Sequence, residues 1–155
     1  MKLIKSLWTG FNKTLNYLMP VGDLFVRFWI ARLFFLSGLS KIQSWSTTIS
    51  LFQNEYQVPL LHPVIAAHIC TIVELVVPIF LFLGLGQRLP AFILFVFNII
   101  IVCSYPVLWM NVTGPALAQH FYWGILIMMI MLHGNGKLSL DYLIEYLCSR
   151  KKINL

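Results

Sequence analysis

Apolar residues gather in four long stretches, Asp23–Ile42, Pro63–Gly84, Leu89–Leu108 and Pro115–His133. Each is close to the ~20 residues that a helix needs to cross a hydrocarbon core of ~30 Å. The runs are solidly apolar rather than alternating, which argues against a β-barrel. A proline near the start of the second, third and fourth stretch suits a first helical turn, and Gly84, Gly114 and Gly134 mark ends or turns. Ahead of them, Ile4, Leu7, Trp8, Phe11, Leu15 and Leu18 recur at helical spacing with Lys2, Lys5 and Lys13 on another side, the pattern of a helix lying on a membrane surface. Lys13 and its neighbouring asparagines interrupt any signal-peptide core. Pro20 and Gly22 are expected to end this helix, with Asp23 capping the next.

The linker from Gln43 to His62 carries Trp45, Ile49, Phe52 and Tyr56 at spacings of four, three and four, as in a short amphipathic segment. After the fourth stretch, Gly134, Asn135 and Gly136 read as a turn and Ser139 as the cap of a last helix, with Leu140, Leu143, Ile144 and Leu147 on its apolar face. The expected architecture is an all-α, polytopic membrane four-helix bundle with amphipathic interfacial helices at both ends. Its expected parts are an N-terminal segment over 1–22, a membrane domain over 23–136 and a basic tail over 137–155. No internal repeat or low-complexity tract is evident.

Composition sharpens this picture. The 155 residues are 59% hydrophobic and only 10% charged, against about 45–50% and 25% in ordinary soluble domains. No Asp, Glu, Lys or Arg occurs from Leu89 to Gly136. The net charge of +6 gathers beside apolar runs, which fits membrane topology and not nucleic acid. With four spans, Lys2, Lys5, Lys13, Arg88, Lys137, Arg150, Lys151 and Lys152 share one side and Lys41 stands alone on the other, so the positive-inside rule places both termini in the cytoplasm. Trp8, Trp45, Trp109 and Trp123 are expected close to the membrane interfaces, as belt anchors. Cys70, Cys103 and Cys148 have neither metal nor CxxC spacing and read as packing residues.

Against that background the polar residues inside spans stand out, because a charge at mid-bilayer costs about 2.5–3.5 kcal/mol even on the insertion scale. Counting residues puts Arg32, Glu74 and Asn98 at matching depth, so Arg32 is expected to pair with Glu74, with Asn98 as a further hydrogen-bonding partner. Pro78 lacks the N–H that would bond the Glu74 carbonyl, and a kink is expected there. Two readings stay open: an ion pair that fixes helix register, or a ligand or proton site in the bundle. A second group, Lys41, His68 and His120, belongs to the opposite half. There the imidazoles could relay protons, meet a quinone carbonyl or simply reach interfacial water. No His or carboxylate pair has ligand spacing within one helix, so no metal is expected; haem would need axial ligands facing one another across the bundle, for which His68 with His120 is the candidate pair, and it is not expected either. No phosphate loop, nucleophile elbow or catalytic triad is visible, and no residue reads as catalytic.

The order of these features resembles the DoxX-like family of small bacterial four-helix membrane proteins. The matching segments are Arg32-Leu-Phe-Phe-Leu-Ser-Gly-Leu-Ser-Lys41, then Glu74 with Pro78, Gly84 and Arg88, then His120 with Trp123, and finally Gly134-Asn-Gly136 with Ser139-Leu-Asp141. The resemblance implies a bacterial inner-membrane protein and a polar set of Arg32, Lys41, Glu74, Arg88, His120 and Asp141, with Arg88 and Asp141 on the cytoplasmic side. It also implies service to a redox or quinone-linked membrane complex as an accessory, non-catalytic subunit. Its expected partners are the bilayer and membrane or soluble redox proteins, homo-oligomerisation stays open, and quinone is the cofactor it is compatible with. The alternatives are a small-solute or weak-acid transporter and a structural assembly factor, since this fold hosts more than one function.

Overall fold

The computed structural model describes residues 1–134 and 136–153. Seven helices follow in order: α1 Lys2–Gln43, α2 Trp45–Asn54, α3 Pro63–Leu83, α4 Arg88–Ser104, α5 Val107–Met110, α6 Pro115–His133 and α7 Leu140–Ile153. The fold is all-α, and no strand occurs among the described residues. Helix α1 packs on α3, α3 on α4, α4 on α6, and α6 returns to α1, which closes a four-helix ring. The core of that ring is Ile30, Phe34, Leu81, Leu94, Phe97 and Ile127, with smaller side chains between them.

The helices are apolar on their outer faces as well. Ile65, Ile72, Ile79, Phe92, Ile99, Ile125 and Met129 are all exposed, a surface that water would penalise and lipid does not. Helices α3 and α6 are long and apolar enough to cross a membrane, and α4 is a shorter apolar helix of the same character.

The expected break at Pro20 and Gly22 is absent. Helix α1 runs unbroken through both for 42 residues, about 63 Å at 1.5 Å per residue, so Asp23 lies inside the helix and caps nothing. Proline there removes one hydrogen bond to the Asn16 carbonyl, but Asn16 is exposed and its oxygen is open to solvent, while the turns on either side keep their bonds. The apolar stripe of the N-terminal half, Ile4, Leu7, Trp8, Phe11, Leu15 and Leu18, is exposed along this rod. The third stretch also ends earlier than expected, at Ser104, because Pro106 holds Tyr105 in an extended conformation and the chain restarts as the short α5.

The linker does form a helix. In α2, Thr48 and Phe52 are buried, Thr48 Oγ1 donates to the Lys41 carbonyl (3.1 Å), and Phe52 packs with Ala66 and Ala67 of α3. Beyond it the Gln57 N–H donates to the Ser104 carbonyl (2.7 Å), so α2 and its linker cover one end of the ring. Helix α3 passes Pro78 without interruption, and the proline is buried. Cys70 is half-buried against the core, whereas Cys103 and Cys148 are exposed and do not pack inside it.

At the opposite end the tail is tied to the ring. Ser139 Oγ accepts from the Tyr142 N–H (3.2 Å) and donates to the Gly136 carbonyl (2.7 Å), the cap expected for α7. Asp141 accepts from the N–H groups of Gly86 (3.0 Å) and Gln87 (3.4 Å), so this family-like acid caps the start of α4 from the tail. Arg88 is exposed, with its guanidinium against Gly134. Asn135 of the expected turn, and the side chains of Arg150, Lys151 and Lys152, lie outside the described residues.

Gly84 closes α3 with φ of 67°, and a Cβ there would collide with the Arg27 guanidinium and with Ser139. Gly84→Ala is therefore expected to cost at least about 1 kcal/mol and to lower the thermal midpoint of the detergent-purified protein. Gly22→Ala, in open helix with nothing near the added carbon, is expected to leave it unchanged or raise it by up to about 1 kcal/mol equivalent.

Candidate functional site

The site is built on one close helix approach. A Cβ on Gly38 would stand 3.0 Å from the Glu74 Cβ and 2.9 Å from the Leu75 Cγ, so only a glycine lets α1 lie this near α3. One residue before Gly38 on α1 is Ser37, and three residues after it is Lys41, one helical turn from Ser37. Both reach the acid: Lys41 Nζ lies 2.5 Å from Glu74 Oε2, Ser37 Oγ donates to Glu74 Oε1 (3.2 Å), and Lys41 Nζ also donates to Ser37 Oγ (3.0 Å). The Glu74 side chain is 3% exposed and that of Lys41 17%, so the pair is largely out of solvent.

Arg32 is therefore not the partner of Glu74. It is exposed on α1 and lines a groove with Phe35 and Pro78. Depth counting treated Arg32 as the available cation because it lay at mid-span. The closeness of α1 and α3 at Gly38 and the length of a lysine side chain bring Lys41 down to the acid instead. Nor does Asn98 join the ion pair. Its Nδ2 donates to the His120 carbonyl (3.0 Å), and its Oδ1 faces His120 Nδ1 at 2.8 Å. A carbonyl oxygen only accepts, so the amide orientation is fixed and Oδ1 must be the acceptor for His120. The hydrogen of the neutral ring is thus on Nδ1, which leaves Nε2 as a proton acceptor.

The ion pair and His120 share one cavity of about 300 Å³, lined by Ser37, Lys41, Glu74 and His120 with Phe34, Tyr56, Tyr105 and Trp123, while Asn98 holds His120 from outside it. Two aromatic groups border it. Phe52, Tyr56 and Tyr105 stack at 4.6 Å per step, and the Trp123 ring meets His120 edge-on at 4.8 Å. Tyr105 donates to Glu55 (2.9 Å). Burial pushes the Tyr56 phenol well above its ordinary pKa, and desolvation together with the Glu55 hydrogen bond raises that of Tyr105, so both are neutral donors at physiological pH. His68 stands apart, exposed, with its ring on Trp45 at 4.6 Å and Nδ1 at 2.7 Å from the Val64 carbonyl. Its interfacial position on α3 points away from the cavity that Lys41 and His120 share. Among the described residues no group of three or more His, Cys, Asp or Glu is placed to hold a metal ion.

One charged residue escaped the sequence reading. Arg27 is fully buried at the Gly84 end of the ring, where Nη2 donates to the Leu138 carbonyl and Nε and Nη1 have no hydrogen-bond partner. The signal was an arginine four residues after Asp23 within an apolar run. Asp23 itself lies 3.6 Å from His133 Nε2, so the two carboxyl-to-base contacts of the ring occupy opposite ends.

Breaking the Lys41–Glu74 pair leaves a buried charge unanswered, at a cost of about 3–5 kcal/mol. Lys41→Met is expected to lower the thermal midpoint strongly, and adding Glu74→Leu to restore most of the loss. In detergent without added lipid, Arg32→Gln is expected to stay within about 0.5 kcal/mol of wild type. The opposite ranking of Lys41 and Arg32 would contradict the assigned pair.

Among known proteins, neither the characterised proteins nor the solved structures include one that matches this chain. A family model, DoxX, matches residues 22–107. That region includes the segment from Arg32 to Lys41, Glu74, Pro78, Arg88 and Asn98, while His120 and Asp141 lie beyond it. The match covers more than half of the chain, and with the apolar helices that form the ring it shows that this protein is a membrane protein of the DoxX family.

Proposed function

We propose that the chain is an accessory subunit of a redox or quinone-linked membrane complex, and that the cavity between Lys41, Glu74 and His120 receives the quinone headgroup. The observation that carries this reading is the cavity itself. A ring bearing oxygens on opposite edges needs a donor on one side, an acceptor or donor on the other, and flat apolar walls between them. The Lys41 ammonium is the donor, and Nε2 of His120, with Nδ1–H held by Asn98, accepts from a quinol hydroxyl. Phe34, Tyr56 and Trp123 supply the walls. Glu74 holds Lys41 in place. In this reading the partner complex exchanges electrons with the quinone, and the residues of this chain bind and orient its headgroup.

In this reading α1, α3, α4 and α6 all span the bacterial inner membrane. The Gly84 end of the ring faces the cytoplasm with both termini, and the end covered by α2 faces outward. The basic residues Arg88 and Lys137 at the Gly84 end support that orientation. In intact cells a membrane-impermeant maleimide is expected to label Gln57→Cys and to spare Cys148, which becomes reactive only after permeabilisation. Labelling of Cys148 from outside would reverse the orientation.

Gentle purification followed by solvent extraction is expected to recover quinone from the wild type. His120→Leu, which removes a hydrogen bond in a largely desolvated site, is expected to reduce the recovered amount about tenfold. A quinone-free wild-type protein that instead carries a weak acid across liposomes, with flux lost in Glu74→Gln, would replace this reading with the transport function.

A further inference from the structure

Arg32 is left outside every polar network of the ring. Among the described residues it makes no hydrogen bond or ion pair, and it is exposed on the outer face of α1. Around it lies a groove of about 280 Å³ between α1 and α3, walled by Phe28, Phe35, Pro78, Ile79 and Phe82. A guanidinium facing hydrocarbon without a counterion costs up to about 2.5–3.5 kcal/mol at a span centre and less toward its end, so in a bilayer this position favours an anion. An apolar trough with one unpaired arginine is the complement of an amphiphile with an anionic head.

The depth suits a lipid phosphate. Arg27 meets the chain at Gly84, where α3 ends, and Arg32 is five residues further along α1, about 8 Å. An arginine side chain covers most of that distance by snorkelling toward the headgroups at the Gly84 end. Arg88 and Lys137 make the same end basic, which draws anionic lipid toward it. A second copy of the chain offers little to act as the counterion. Four of its five acids already have partners, Glu74 on Lys41, Asp23 beside His133, Glu55 on Tyr105 and Asp141 on the Gly86 turn, and the fifth, Glu145, lies on the tail helix α7, outside the four-helix ring.

We propose that the α1–α3 groove binds an anionic membrane glycerophospholipid, with one acyl chain along Phe28, Ile79 and Phe82 and the phosphate on Arg32. Arginine suits this task because its planar fork can donate two parallel hydrogen bonds to phosphate oxygens. The site is separate from the cavity of Lys41 and His120, so its failure leaves the quinone reading intact.

The test is native mass spectrometry of the full chain released from bilayers holding equal parts of phosphatidylglycerol and phosphatidylcholine with the same acyl chains. The wild type is expected to retain phosphatidylglycerol in preference. Arg32→Gln is expected to lose about tenfold of that preference, and Ile79→Trp, which fills the apolar half, to lose bound lipid of both kinds. Lys13→Gln, an exposed base far from the groove, is expected to match the wild type. Equal retention of the two lipids by the wild type overturns the proposal, and this arm needs no variant to fold. So does an unchanged preference in Arg32→Gln, or a photo-crosslinker at position 79 that captures a protein helix instead of lipid in cells.

Discussion

A carboxylate enclosed by four apolar helices must be answered by a cation within reach, and in this ring the answer is Lys41. The Lys41–Glu74 contact sets the register of α1 against α3, because sliding either helix by one turn would move the lysine about 5 Å from its acid. It depends in turn on Gly38, whose missing side chain brings the two backbones close enough for Ser37 to join the pair. Removing solvent from the ions strengthens their attraction and raises the penalty for separating them. The strongest polar contact of the ring is therefore also the one least tolerant of rearrangement.

The two ends of the ring solve different problems. At the Gly84 end, backbone ends meet: Asp141 takes the N–H groups of Gly86 and Gln87 just ahead of α4, Ser139 starts α7, and Arg27 fills the space that Gly84 leaves. These contacts join a loop, a tail and two helices that would otherwise separate. At the other end α2 and its linker cover the ring, and the space beneath stays open. The polar groups facing that space are already oriented by neighbours, Lys41 by Glu74 and His120 by Asn98. A ligand entering there would meet groups whose rotamers are largely fixed, which lowers the entropy lost on binding.

The sequence made several parts legible through simple rules. Solid apolar runs bounded by proline and glycine located α3 and α6, and the spacing of Trp45, Ile49, Phe52 and Tyr56 located α2. Ser139 was visible as a cap because the rule it obeys is local. That Glu74, Lys41, Asn98 and His120 would need polar partners was also legible, since polar residues are costly in an apolar run wherever they sit. The continuity of α1 was not. Proline and glycine in close succession weaken a helix by local propensity, but the exposed Asn16 carbonyl can find water, and the intact turns on either side carry the helix through.

What the sequence alone determined is the helical, lipid-facing character of the chain, because composition and periodicity depend only on the order of residues. Tertiary structure alone decided which polar groups meet. Arg32 and Glu74 match in counted depth, yet counting along separate helices cannot reveal how closely those helices approach or which way a side chain faces around its axis. The contact at Gly38 directs Lys41 and Ser37 inward and leaves Arg32 on the outer surface. Rotation about the helix axis and interaxial distance are properties of packing, and they turned two expected polar groups into one cavity and one groove.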